Sequence, residues 1–403
     1  MNASFDFTSL IDRHGMDAIA VDGIGTGGIC PDAPTADGFD AIPMWVADMN
    51  FATAPVVTKA ISERLDHPLF GYFSPRKEYF DAIIRWQKKR NRIDGLAAEN
   101  IGYENGVLGG LLSAVRVFCS PGDEILVHSP TYIGFTKSLE NAGYRLLHSH
   151  LVRDGAGVWR MDLADMEEKI VSHGVRTAIL CSPHNPCGRV WEREELEAAA
   201  RLFEKHGVKI ISDEIWSDII LGGRQHVPTQ SVSEYARMNT VALYAPTKTF
   251  NLAGLVGSYH IIYDKRLSER VLKESSLSHY NEMNVLSMHA LIGAFSEKGE
   301  EWLDELLKVL DANVGYFSDY LNSVPGVSCF RPEGTYMIFA DCTEYCEKTG
   351  KNIEDIEKAA WKVGVAVQDG RMFHGPCHLR FNLALPLSKL KEAAERLGKY
   401  VFV

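Results

Sequence analysis

VRTAILCSPHNPCGRVWEREELEAAARLFEKHGVKIISDEIW, residues 175–216, contains two short, almost wholly apolar runs, one in VRTAILCSP and one in VKIISDEI, separated by REELEAAARLFEKHG. Strands with near-continuous apolar runs suit a sheet covered on both faces, and the segment between them reads as an amphipathic helix. A strand, a helix and a second strand in that order predict one parallel crossover unit. The same alternation extends on both sides. DEILVHSP (123–130) and YRLLHSHLV (144–152) read as strands around the helical TKSLENAG (136–143). DLADMEEKIVSHG (162–174) opens on an Asp cap and closes on Gly174, as a helix should. TVALYAP (240–246) and LVGSYHIIY (255–263) complete the set of strands. The fold class expected is α/β with a mostly parallel sheet. After residue 285 the pattern changes to a long helical region, short strands around TYMIFADC and HLRFNLALP, and a last helix LSKLKEAAERLGKY, which predicts a smaller α+β unit. Three parts are therefore expected: an N-terminal arm (1–50) packing on the small domain, a large domain (51–285) and a small C-terminal domain (286–403).

The chain has 403 residues and a formal charge of −11, enough length for two or three domains and the wrong sign for a nucleic-acid or anionic-membrane partner. No apolar run approaches the roughly 20 residues of a membrane span, and MNASFDFTSLIDRHG lacks a signal-peptide pattern, so a cytoplasmic protein is expected. The eight cysteines include no Cys-x-x-Cys; Cys342 and Cys346 sit near helical spacing but suggest ordinary thiols.

In an open parallel sheet, ligands bind beyond the carboxyl ends of the strands. There the sequence delivers Asn185 in SPHNP, Asp213 in SDEIW and Lys248 in APTKTF. Alone, the Asn reads as a turn residue and the Asp as a helix cap. A lysine in an apolar setting is costly unless its pKa falls or it is consumed in a Schiff base. Together the three suit pyridoxal 5'-phosphate: Lys248 for its aldehyde, Asp213 to keep its ring nitrogen protonated, Asn185 to donate to its phenolic oxygen. ENGVLGGLLSAV offers Gly106 before a helix whose free N–H groups at Val107 and Leu108 suit a phosphate, and SPTYIGF offers Tyr132 for stacking.

On SPHNPCGRVW, SDEIWSD, APTKTFNLAGL and LRFNLALP, the chain resembles the class I/II aminotransferases of pyridoxal-phosphate fold type I over nearly its whole length. PMWVADMNF, GRVW and APTKTFNLAGL are similar to the cystathionine β-lyase, or carbon–sulfur β-lyase, branch. The resemblance implies a seven-stranded-type sheet in a large cofactor domain, with Lys248 as the Schiff-base residue and general base. It implies that Arg380 in HLRFNLA grips the substrate α-carboxylate, and that Tyr72 in FGYFSP reaches the partner's cofactor phosphate across a homodimer. The implied reaction cleaves cystathionine or a related β-thio L-amino acid to a thiol, pyruvate and ammonia. Two positions depart from standard aminotransferases. Val256 stands where many members carry a phosphate-binding arginine, leaving the phosphate to Thr247, Tyr72 and backbone N–H groups. Trp216 stands where many carry a tyrosine, and an indole donates but cannot accept. Asn50 replaces an acidic residue common in the branch. PMWVADMNF and SSLSHYNEMN (275–284) are expected to line the side-chain pocket.

Aminotransfer to a keto acid is the alternative reaction on the same residues, and a non-catalytic binding role on the same fold is a third reading. GIGTGG (23–28) fits Gly-x-Gly-x-x-Gly but lacks the flanking strand and helix of a dinucleotide site. His148 and His150 in HSH lack an apparent third metal ligand and read as surface histidines.

Overall fold

The computed structural model describes residues 5–32, 34, 38–276 and 281–403. The chain divides into two compact units, one of Thr53–Asn185 and Arg189–Asp304, the other of Met1–Ala52, Pro186–Gly188 and Glu305–Val403.

In the first of these units the apolar runs pair into a seven-stranded sheet. Its strands are β1 (Ile101–Glu104), β2 (Glu124–Ser129), β3 (Arg145–His150), β4 (Thr177–Cys181), β5 (Lys209–Asp213), β6 (Thr240–Tyr244) and β7 (Ser258–Ile261). Their spatial order is β1-β7-β6-β5-β4-β2-β3. The five from β6 to β3 are parallel, whereas β7 runs antiparallel to both β6 and β1. The expected mostly parallel α/β sheet is therefore present, with one reversed strand. The reversal was not readable from SYHI, because all four of its residues are buried and such a strand has the same apolar pattern in either direction.

Helices form where apolar residues recur at helical spacing. Arg193–His206 buries Leu196, Ala199, Ala200, Leu202 and Phe203, and stops at Gly207 in the left-handed conformation. Phe203 is fully buried, so Phe203→Ala would cost about 3–5 kcal/mol. Leu163–His173 opens as expected: the Asp162 carboxylate accepts from the N–H groups of Ala164 and Asp165. Helix Val107–Phe118 presses Leu111, Ala114 and Val115 into a core shared with Ile125, Ile179, Ile211, Val241 and Leu243. That core anchors β2, β4, β5 and β6 from below, so their carboxyl ends are held at fixed spacing.

The other unit carries a four-stranded antiparallel sheet of β8 (Ser328–Cys329), β9 (Met337–Asp341), β10 (Gln368–Asp369) and β11 (His378–Asn382), in the order β8-β9-β11-β10. Ile42–Pro43 pairs in parallel with Val365–Ala366. Among the described residues no helix is long and apolar enough to cross a membrane.

Candidate active site

Asp213 is the last residue of β5, and the register places Cys181 of β4 on one side of it and Leu243 of β6 on the other. The Ser182 N–H donates to the Asp213 carbonyl, 2.9 Å, and the Glu214 N–H to that of Leu243, 2.9 Å. Asn185 and Lys248 follow those flanking strands by four and four residues, so the three polar tips lie on adjacent strands with Asp213 in the middle. Lys248 itself sits beyond β6, in a turn closed by Phe250 N–H to Pro246 carbonyl and Leu252 N–H to Thr247 carbonyl, each 2.9 Å. Both Thr247 and Lys248 are half-buried rather than enclosed. The strand-end burial expected for the lysine is thus relieved, because the strand stops at Tyr244 and the turn carries the side chain outward.

The electrostatics single out Asp213. Its side chain is buried, and burial pushes the carboxyl up to about 7 from 3.8. The Ile215 N–H on its Oδ1 (3.1 Å) and the charge of Lys248 oppose that rise, while neighbouring Glu214 adds to it. A buried acid of this kind is stabilised as an anion by a cation or by hydrogen-bond donors placed against it. Glu214, the next residue, is buried too but fully provided for: burial raises it, yet His226 at 2.7 Å, Tyr244 at 2.6 Å and the Thr229 N–H at 3.0 Å hold it below the usual carboxylate range.

Around these tips, Asn185 is buried and its Oδ1 has no hydrogen-bond partner among the described residues. The Trp216 ring is buried, with the Lys248 Nζ 5.8 Å from its centre. Tyr132 precedes helix Ile133–Asn141 beyond β2, its ring edge-on to Phe135 at 5.4 Å. A Cβ on Gly134 would come within 2.3 Å of the Tyr132 ring, so the aromatic lies where only glycine leaves room. Val107 and Leu108 open the helix that follows β1, behind Gly106 at φ 78°, a conformation that favours glycine. Four residues into that helix the N–H groups begin to find intrahelical partners, leaving the first turn's donors for an anion.

Val256 packs its Cγ1 3.8 Å from where a Gly106 Cβ would stand, which brings the position of the missing arginine beside this helix start. It adopts φ 54°, ψ 156°, strained for a β-branched residue. Tyr72 is fully exposed, in an irregular stretch where Leu69 and Phe70 are also exposed. Arg380, in the other unit, is buried on β11; its Nη2 donates to the Trp45 carbonyl (2.8 Å) and to Gln368 (2.6 Å), and its guanidinium lies 4.2 Å from the Phe373 ring centre. In the same unit Arg13 pairs with Asp48 (2.5 Å) and donates to Asn50 (3.0 Å). Of SSLSHYNEMN, residues 277–280 lie outside the described residues.

Two groups near the site were not singled out from the sequence. His128 and His184, buried 6.4 Å apart against Trp191, stay neutral because burial pulls them down to about 4 and about 3. Asp218 accepts from Trp86 and Thr249, the residue after the lysine. The repeated aspartate in SDEIWSD was its only sequence signal. Among the described residues no cluster of three metal-capable side chains occurs, His148 and His150 included.

The arrangement suits a bound group with a carbonyl for an amine, a protonated ring nitrogen for a buried carboxylate and an anion for a helix start. Its relatives carry related descriptions. Cystathionine beta-lyase PatB of Bacillus subtilis (strain 168) is 35% identical over 363 residues, which cover 89% of this chain and 92% of that protein. The PLP-bound C-S lyase from Staphylococcus hominis has the same fold at a TM-score of 0.87 and 30% identity, over 98% of each chain. Cystalysin from Treponema denticola, solved with a pyridoxal 5'-phosphate cofactor, gives 0.89 and 29%, over 98% of each chain. The model for aminotransferase class I and II matches residues 41–397, and the chain belongs to that family.

Proposed function

We propose that the protein is a pyridoxal 5'-phosphate-dependent carbon–sulfur β-lyase that cleaves cystathionine or a related β-thio L-amino acid to a thiol, pyruvate and ammonia. The observation that carries the proposal is Asp213: a buried carboxyl with weakened acidity, flanked on adjacent strand tips by Asn185 and by Lys248. The cofactor, when bound, supplies an aldehyde for a lysine and a ring that accepts the electron pair released at the substrate α-carbon.

The chain's own residues do the rest. Asp213 holds the proton on the ring nitrogen, which in turn stabilises its buried anion. Asn185 donates to the phenolic oxygen, and Tyr132 covers the ring face. The N–H groups of Val107 and Leu108, with Thr247 and the partner-borne copy of Tyr72, hold the phosphate. Lys248 would anchor the cofactor and would take the substrate α-proton as general base. Trp216, beside the lysine, contributes an indole wall where many aminotransferases have a hydroxyl. Arg380 holds the α-carboxylate through its planar fork. Loss of the α-proton would let the β-thiolate leave as a Cα–Cβ double bond forms, and hydrolysis of the resulting enamine by one water would give pyruvate and ammonia.

The same reading includes a cytoplasmic homodimer, supported by the exposed apolar stretch around Tyr72. The test is incubation of the purified, cofactor-loaded protein with cystathionine and no keto acid. Catalytic release of pyruvate and ammonia in equal amounts supports the lyase; a single turnover that aminates the cofactor, relieved by adding a keto acid, establishes the aminotransferase instead.

A further inference from the structure

We infer that Asp218 is a positioning residue for Lys248, acting through the hydroxyl of Thr249. Asp218 lies five residues after Asp213, in the loop that leaves β5; Thr249 follows Lys248, in the turn that leaves β6. Both side chains are buried. The Thr249 Oγ1 donates to Asp218 Oδ2 at 2.9 Å, and the Trp86 Nε1 donates to Asp218 Oδ1 at 2.9 Å. One carboxylate therefore ties together the loop that follows Asp213 and bears Trp216, the turn bearing Lys248, and helix Lys77–Asn91.

The tie ends on rigid partners. The Trp86 ring stacks on Phe295, 4.5 Å apart and 8° from parallel, and lies 5.8 Å from Phe250. Phe250 is buried and stacks on Trp302 at 5.5 Å, and its carbonyl accepts from the Thr53 hydroxyl at 2.6 Å. Residues 249 and 250 are thus fixed immediately after the lysine, which is itself half-buried.

The choice of an acid follows from donor count. Both groups that converge on Asp218 are donors, a hydroxyl and an indole N–H, and a carboxylate accepts from both without presenting a donor of its own. An asparagine would turn an NH₂ toward one of them. The anion is nevertheless expensive in this setting: burial raises its pKa, with Arg90, Trp86 and Thr249 opposing. Apolar packing would serve stability alone as well or better. What the carboxylate adds is a defined distance between two strand tips whose side chains must act on the same small group, and an error of about 1 Å in such placement costs on the order of a hundredfold in rate.

The inference rests on Lys248 being the cofactor-bearing lysine of the proposed function. Its test uses Thr249→Val, which keeps the shape and removes the hydroxyl, Thr249→Ser, which restores it, and Asp218→Asn as a second disruption. Three quantities are read on each: the rate at which cofactor-free protein couples to pyridoxal 5'-phosphate, followed by visible absorbance; the split between kcat and KM; and the isotope effect on kcat with α-deuterated substrate. Thr249→Val should slow coupling and lower kcat by roughly ten- to a hundredfold, with KM changed by less than about threefold. The isotope effect should grow as proton abstraction becomes limiting, and Thr249→Ser should recover most of each loss. Thr249→Val with normal coupling, a normal isotope effect and only a lower melting temperature would show the brace to be merely structural. If Asp218→Asn does not fold, the Val and Ser pair still decides. Failure of the unaltered protein to couple would instead overturn the functional reading.

Discussion

Asp213→Asn should make the cofactor-free protein more stable at pH 8 and less stable at pH 4, while removing nearly all turnover from the loaded enzyme. The carboxyl is pushed up to about 7 in the folded protein from 3.8, chiefly by burial. With the folded value above the unfolded one, the native state holds a proton between about pH 4 and pH 7 that the unfolded chain has already released. Stability from this group is therefore complete below pH 4 and is lost as pH rises through 7, at about 1.4 kcal/mol per pH unit, or about 4 kcal/mol in all. Asparagine cannot ionise and so escapes that loss, and its carbonyl oxygen still accepts from the Ile215 N–H. Its NH₂, placed in a buried position, costs about 1–3 kcal/mol. The net gain at pH 8 is about 1–3 kcal/mol; at pH 4 only the cost remains. For a chain of this length, unfolding entropy near 2 cal/mol/K per residue converts the gain to a melting-temperature rise of about 1–4 °C. Thermal unfolding of cofactor-free wild type and variant across pH 4 to 8 measures it directly. A difference with the same sign and size at every pH would refute the reasoning, because it would mean that Asp213 is not an isolated buried acid. In the loaded enzyme the variant loses the anion that keeps the ring nitrogen protonated, and kcat should drop by about a hundredfold or more.

Two further outcomes are expected. Val256→Arg places a cation beside the helix start at Gly106, and a charge-assisted hydrogen bond to the phosphate should lower the dissociation constant of pyridoxal 5'-phosphate by about tenfold in an equilibrium titration; unchanged affinity would place the phosphate elsewhere. Glu357, whose carboxyl burial and the neighbouring Asp369 push up to about 8 from 4.5, should destabilise the fold as pH rises through that range. Glu357→Gln keeps an acceptor for the Asp369 N–H and should therefore gain up to about 5 kcal/mol over wild type at pH 9 and nothing at pH 4, read by denaturant titration; an equal gain at both pH values would contradict the assignment.

Most of the large sheet was readable because the strands from Glu124 to Asp213 are bounded by turn signals and each is separated from the next by a helix with its own periodicity, while TVALYAP stands out as a bounded apolar run. Capping residues such as Asp162 and Gly174 marked helix ends through local chemistry, which needs no knowledge of the fold. The positions of Asn185, Asp213 and Lys248 followed from the rule that parallel strands present their carboxyl ends together. Features that depend on distant partners were not readable. Nothing near Asp218 announces Trp86, 132 residues away, as its donor. The left-handed backbone of Val256 is likewise invisible, since a valine there argues for ordinary extended chain. The antiparallel direction of β7 is set by its pairing with β1 and β6, not by the sequence SYHI.

The most direct test is the identity of the residue that carries the cofactor. Borohydride reduction of the loaded protein, followed by peptide mass mapping, should locate the added pyridoxyl group on Lys248, and Lys248→Ala should lose both the label and pyruvate formation from cystathionine. A label on any other lysine, or pyruvate formation retained by Lys248→Ala, would contradict the account.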